Sequence, residues 1–182
     1  VMLIIGGPGA PISPELDPLL PWLLNAGYEV IMPAYRGCAG YGADHLSANR
    51  GEWGRADVAD VVAAAVDWKK RFGESRPFVL MGYSYGGYLA LLSLTRDTAL
   101  WDAGVTLWGM MSLQQPLLRM FETGLPPEAG ARAQAIAERS PASQAKHIHC
   151  PVLMFHGALD GAATMDEVCG VSNQITNCVL VT

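Results

Sequence analysis

The sequence predicts an α/β protein, a mostly parallel sheet with helices on both faces. Three observations predict it. Short, uninterrupted apolar runs recur along the chain without the alternation of a half-exposed strand. Segments with apolar residues at helical spacing separate them. Each early run ends in a glycine-rich turn, as strands that feed helices do. Strands buried on both faces, joined by helices, belong to a parallel sheet.

The elements follow in order. Residues 1–5 are an apolar run ending in Gly6-Gly7-Pro8-Gly9, a strand and then a turn. Asp17 or Ser13 can cap a short helix through Trp22 and Leu24, with Pro18 or Pro14 at its first position. Asn25-Ala26-Gly27 stops it. Residues 28–33 are the next strand, and residues 36–54 a long glycine-rich loop. From Asp57, the residues Val58, Val61, Val62, Ala65, Trp68 and Phe72 form one helical face. Asp57 and Asp60 near its start and Lys69-Lys70-Arg71 near its end suit the helix dipole, and Gly73 terminates it. A strand over 78–81 breaks at Gly82 and gives way to a helix over about 85–95. A strand at 103–107, a helical, proline-interrupted insert over about 114–139, and strands at 152–155 and 178–181 complete the chain. The whole of 1–182 is expected to be one domain.

Composition excludes several classes. The chain is 51% hydrophobic and only 16% charged, so it folds around a core. Its net charge is −5 and it has no basic stripe, which excludes nucleic acid or an anionic membrane surface as the main partner. No apolar run reaches the roughly 18 residues of a membrane span. The four cysteines, Cys38, Cys150, Cys169 and Cys178, follow no zinc or redox spacing, although Cys169 and Cys178 stand close enough to pair. Reduced thiols imply a cytoplasmic protein. His147, His149 and Cys150 lack a matching second pair, so no metal is expected, and no cofactor is implied. A homo-oligomer is compatible with the sequence.

The chemistry concentrates at Gly82-Tyr83-Ser84-Tyr85-Gly86, a G-x-S-x-G motif between an apolar strand and an apolar helix. In that context the serine sits on a strained strand-to-helix turn, and residues two positions away on either side must lack a β-carbon. Ser84 is therefore the candidate nucleophile of an α/β-hydrolase fold. The helix N-terminus beside it favours developing negative charge. Tyr83, next to the serine, and Trp108, after the fourth ladder run, are the candidates for lining the substrate site. In such a sheet the ligand lies beyond the carboxyl ends of the strands, where Gly6–Ala10, Ser84 and Asp160 are expected together.

Four blocks, in order, resemble the catalytic domain of the prolyl oligopeptidase family, which includes acylaminoacyl and dipeptidyl peptidases. Gly6-Gly7-Pro8-Gly9 resembles the oxyanion loop H-G-G-P. Arg36-Gly37-Cys38-Ala39-Gly40-Tyr41-Gly42, then Gly51-Glu52-Trp53-Gly54 with Asp57 and Asp60, resemble R-G-S-x-G-Y-G and G-x-W-G-x-x-D-x-x-D. Gly82–Tyr88 is similar to G-x-S-Y-G-G-Y. Ser140-Pro141, Pro151-Val152-Leu153 and His156-Gly157-Ala158-Leu159-Asp160 resemble the segment S-P, P-V-L, H-G-x-x-D. The resemblance implies Ser84 as nucleophile and Asp160 as triad acid. It implies the Tyr85 N–H as one oxyanion donor and an N–H of Gly6 or Gly7 as the second, each worth about 3–4 kcal/mol in hydrolases of this kind. It implies acyl transfer on small peptides, with a small acyl ester as the alternative substrate and a non-catalytic binding module as the alternative role.

Two positions depart from the family pattern. Ile5 replaces the histidine before G-G-P. The order of this fold places the catalytic histidine after the acid, whereas His45, His147, His149 and His156 all precede Asp160. The resemblance thus implies a domain truncated at both ends, with the histidine beyond Thr182. His156 is expected to be a structural residue beside the acid loop, and His45 a solvated loop residue.

Overall fold

The computed structural model describes residues 1–73, 75–114 and 123–182. Among these, five strands form one sheet in the order β1 (Met2–Ile4), β2 (Val79–Tyr83), β3 (Ala103–Leu107), β4 (Val152–Phe155) and β5 (Cys178–Val181), every neighbouring pair parallel. Spatial order equals chain order, and each parallel pair is joined by a crossover. The helices are α1 (Leu19–Asn25), α2 (Ala43–Ser47), α3 (Ala56–Phe72), α4 (Tyr85–Leu94), α5 (Ala129–Glu138), α6 (Pro141–Gln144) and α7 (Met165–Ser172). No helix among the described residues is long and apolar enough to cross a membrane.

The pleat sorts the core into two layers. Met2, Ile4, Leu80, Val152 and Met154 face one side and join Val58, Val61 and Ala65 of α3, the whole of α4, and Val168 and Val171 of α7. Leu3 and Met81 face the other side, where Leu23 of α1 covers them, with Val105 and Leu107 packed at the margin. The α4 helix is buried all round, as expected of an element caught between the sheet and α3. Its contact with the sheet is unusually close. A β-carbon on Gly86 would overlap the carbonyl oxygens of Ile4 and Ile5, and one on Gly82 would overlap that of Gly86.

Several expectations need correction. Residues 28–33 are not a ladder strand: only Ile31 bridges, donating to the Val1 carbonyl (2.9 Å) and accepting from the Leu3 N–H (2.8 Å). Pro33 supplies no further N–H to extend that edge. The predicted loop at 36–54 contains α2. In the predicted insert, residues 123–128 are not helical and the helix begins at Ala129; residues 115–122 lie outside the described part. The proline-led start at Pro14 makes one 3₁₀ turn (Pro14–Leu16), and α1 starts later, with the Asp17 carboxylate accepting from the N–H groups of Leu19 (2.9 Å) and Leu20 (3.3 Å). Phe72, placed on the buried face by spacing, is 55% exposed. The α7 helix is new, and it begins with a complete capping box between Thr164 and Glu167. All four cysteines are free, and Cys178 Sγ accepts from the Ser172 hydroxyl (3.4 Å) instead of pairing with Cys169.

Candidate active site

Strand register brings the site residues together. Ile4 pairs with Gly82, so the chain two residues on places Gly6 beside Ser84. A β-carbon on Gly6 would stand 3.0 Å from that of Ser84 and 3.1 Å from the Tyr83 ring. Tyr83 pairs with Leu107, and the Ser84 N–H donates to the Leu107 carbonyl (3.0 Å). The next two strands continue the staircase: the Trp108 N–H donates to Phe155 (2.7 Å) and the His156 N–H to Val181 (2.9 Å). The carboxyl ends of β1 to β4 thus present Gly6, Ser84, Trp108 and the 156–160 loop along one edge.

Ser84 has φ 54° and ψ −121°, in the left-handed region that L-residues avoid. It is half-buried and immediately precedes α4, so Tyr85 is the first residue of that helix and its N–H has no intrahelical partner. Trp108 is the other non-glycine residue at positive φ (41°) among the described residues. Its side chain is 48% exposed and its ring lies 6.3 Å from that of Tyr83. Two strained residues therefore end two adjacent strands on the same edge.

The tyrosines flanking Ser84 differ in setting. Tyr83 is half-buried and its hydroxyl donates to the second carboxylate oxygen of Asp17 (2.9 Å). Burial, reinforced by that carboxylate, pushes the phenol up to about 12. Tyr85 is buried. Its hydroxyl donates to Asp57, and burial holds it well above its ordinary range. Asn49 Nδ2 donates to the same Asp57 oxygen (3.1 Å) and to the Tyr85 oxygen (3.3 Å), while Asp57 Oδ1 takes the Val58 N–H (2.8 Å). Burial raises the Asp57 carboxyl against these hydrogen bonds. In sequence Asp57 is an acid at a helix start and a member of the block resembling G-x-W-G-x-x-D-x-x-D, with no tie to Tyr85 visible. The signal that identifies it is the block resembling G-x-W-G-x-x-D, whose Trp53 packs edge-on against Tyr85 (4.9 Å).

Asp160 lies at the end of the loop after β4. Its Oδ1 accepts from the N–H groups of Ala162 (2.6 Å) and Ala163 (3.3 Å), leaving Oδ2 pointing toward His156 Nε2 at 3.7 Å. That distance is too long for a hydrogen bond. The His156 side chain is buried, and neither ring nitrogen has a hydrogen-bond partner. His45 is not a solvated ring: its Nε2 meets the Tyr35 carbonyl (3.0 Å) and its ring lies tilted against Tyr41 (5.3 Å). No hydrogen bond joins a histidine to Ser84 among the described residues.

The model of the prolyl oligopeptidase family matches residues 14–175. Dipeptidyl peptidase family member 6 of Caenorhabditis elegans is 31% identical over 177 residues, covering 88% of this chain and 23% of the relative. Dipeptidyl aminopeptidase BIII of Pseudoxanthomonas mexicana is 33% identical over 173 residues, covering 88% of this chain and 25% of the relative. Among solved structures, a puromycin-hydrolyzing peptidase of Mycobacterium tuberculosis superposes with a TM-score of 0.82 at 24% identity, over 99% of this chain and 29% of that one. The acylaminoacyl peptidase of Pyrococcus horikoshii superposes with a TM-score of 0.78 at 18% identity, over 100% of this chain and 31% of that one. These likenesses show the α/β-hydrolase fold. The chain spans about a quarter of the length of the curated relatives it matches.

Proposed function

The chain belongs to the prolyl oligopeptidase family, and from that premise we propose that it carries the acyl-transfer site of a serine peptidase acting on small peptides. The observation that supports this best is the backbone of Ser84. A serine held at φ 54° between a buried strand and a fully buried helix is costly for the fold, and such strain persists where the surroundings enforce it. The side chain it presents adjoins Gly6 and the unpartnered N–H end of α4.

In this reading Ser84 Oγ attacks the carbonyl carbon of the scissile bond as a general base removes its proton. The tetrahedral oxyanion is held by the Tyr85 N–H and by an N–H of the Gly6–Gly7 turn. The amine leaves with a proton returned by the base, and water then cleaves the acyl-enzyme by the same steps. Asp160 orients the base through Oδ2, since the Ala162 and Ala163 amides engage Oδ1. The base itself comes from outside residues 1–182. His156 is sealed beside Asp160 and serves the acid loop. Trp108 and the Tyr83 ring form the apolar rim against which a substrate side chain packs.

The test uses the full-length protein. A fluorophosphonate reagent is expected to label the wild type and not Ser84→Ala, with both giving the same circular dichroism spectrum. Undiminished labelling of Ser84→Ala removes Ser84 from the mechanism. Turnover of a short acyl ester together with no turnover of any aminoacyl-anilide assigns the site to ester hydrolysis instead.

A further inference from the structure

Asp57 has no part in the chemistry just described, yet it sits directly behind it. The residue is fully buried, and its carboxylate faces Tyr85, Asn49 and the Val58 and Gly54 amides, none of them a cation. A buried carboxylate without a cationic partner is costly to a fold. Arg36, from the same sequence block, hydrogen-bonds Asp60 (2.7 and 2.8 Å) and reaches Asp57 only through its charge. What Asp57 does hold is the side chain of the residue that follows the nucleophile.

Two links extend from that anchor. The Tyr85 ring is wedged by Trp53 at 4.9 Å, Tyr88 at 5.4 Å and Tyr35 at 6.3 Å. The Tyr35 hydroxyl in turn reaches the carbonyl oxygens of Ile5 (3.4 Å) and Gly7 (3.5 Å), which bracket the Gly6–Gly7 turn. A single aromatic layer thus touches both backbone segments facing Ser84. Asn49 is held in register by close packing, since a β-carbon on Gly37 would come within 2.9 Å of its own.

We propose that Asp57, with Asn49, is a positioning residue for the oxyanion hole: by fixing the Tyr85 hydroxyl it sets the direction of the Tyr85 N–H, and through the Tyr35 ring it sets the height of the Gly6–Gly7 turn. The proposal rests on the reading of Ser84 and Tyr85 given above. It adds that the G-x-W-G-x-x-D block is part of the catalytic geometry and not only of the core. Donors of this kind act on the transition state and not on the bound substrate. Loosening them lowers kcat and leaves KM in place.

The experiment compares full-length wild type, Tyr85→Phe, Asp57→Leu and Asp57→Asn on one aminoacyl-p-nitroanilide. It also measures inhibition by a peptidyl trifluoromethyl ketone, which forms a tetrahedral oxyanion on the serine. Misplacement by a fraction of an ångström costs on the order of 10- to 100-fold. Tyr85→Phe and Asp57→Leu are expected to lose kcat by that range with KM within about twofold. The inhibitor should weaken by the same factor as kcat. Asp57→Asn, which keeps an acceptor for the Tyr85 hydroxyl, should lose less than Asp57→Leu. If Asp57→Leu fails to fold, the milder Tyr85→Phe decides alone. A folded Tyr85→Phe with wild-type kcat and inhibition overturns the proposal. So does a raised KM at constant kcat, which would make Tyr85 a substrate contact. A wild type inert to both the anilide and the ketone overturns the reading of Ser84 itself, and this inference with it.

Discussion

Two acidic residues each tie down one neighbour of Ser84, Asp17 through Tyr83 and Asp57 through Tyr85, and they differ in what they cost. Asp17 also caps α1, so Asp17→Ala loses the cap and strands the Tyr83 hydroxyl. A loss of about 1–3 kcal/mol follows, read as a lowered denaturant midpoint at constant slope. Tyr83→Phe should cost less, about 1 kcal/mol, because the cap survives. A double-mutant cycle that finds no coupling would mean the two groups act independently. Asp57 has a carboxyl raised by burial above its ordinary 3.8 and faced by Tyr85, Asn49, Tyr35 and Tyr88, with the Arg36 charge also acting on it. The folded state therefore holds this proton more tightly than the unfolded chain. That contribution to stability is fully present below pH 3.8 and is lost as pH rises through the folded-state value. Asp57→Asn removes that loss. Unfolding midpoints of the two proteins, measured from pH 4 to 7, should converge or cross, and parallel curves would show that Asp57 does not titrate differently on folding.

At the scale of elements, legibility followed how local each cause is. The β2–Ser84–α4 unit could be read from Gly82 and Gly86 because the constraint is steric and lies within five residues. Gly86→Ala tests it: the added carbon meets two β1 carbonyls, and backbone cannot step aside as a side chain can. Destabilisation of about 3 kcal/mol or more is expected, measured by thermal unfolding, and a stable variant would mean that β1 does not sit where described. The α7 helix was equally readable, because Thr164 and Glu167 stand three apart in a capping box, but its single buried pair, Val168 and Val171, gave too short an apolar stripe to stand out. Thr164→Ala should cost about 1 kcal/mol. Residues 28–33 misled for the converse reason. Their composition suits a strand, whereas pairing depends on a partner, and only Ile31 finds one.

At the scale of the molecule, topology does what no single segment announces. The motif blocks are separated by tens of residues, yet parallel register sets the ends of β1, β2, β3 and β4 along one edge. The resemblance of the blocks singles out Ser84, Asp160 and the Gly6–Gly7 turn as site candidates, and the strand ends carry them on that edge. The Tyr85–Asp57–Asn49 network was not legible, because a buried carboxylate and an exposed one look alike in sequence. The sheet also has unequal faces. Among the described residues one face is sealed by α3, α4 and α7, and the other carries α1 near β1 and β2, with Val179 and Val181 of β5 at 58% and 42% exposed. In the proposed acyl-transfer site the nucleophile, acid and oxyanion donors come from residues 1–182 and the base from outside them, and removal of the triad histidine from a serine hydrolase costs on the order of 10⁶-fold in turnover. Residues 1–182 expressed alone, and shown by circular dichroism to be folded, should therefore react with a fluorophosphonate several orders of magnitude more slowly than the full-length protein. Equal rates would place the base inside this chain, and His156, buried 3.7 Å from Asp160, would then be the residue to substitute first.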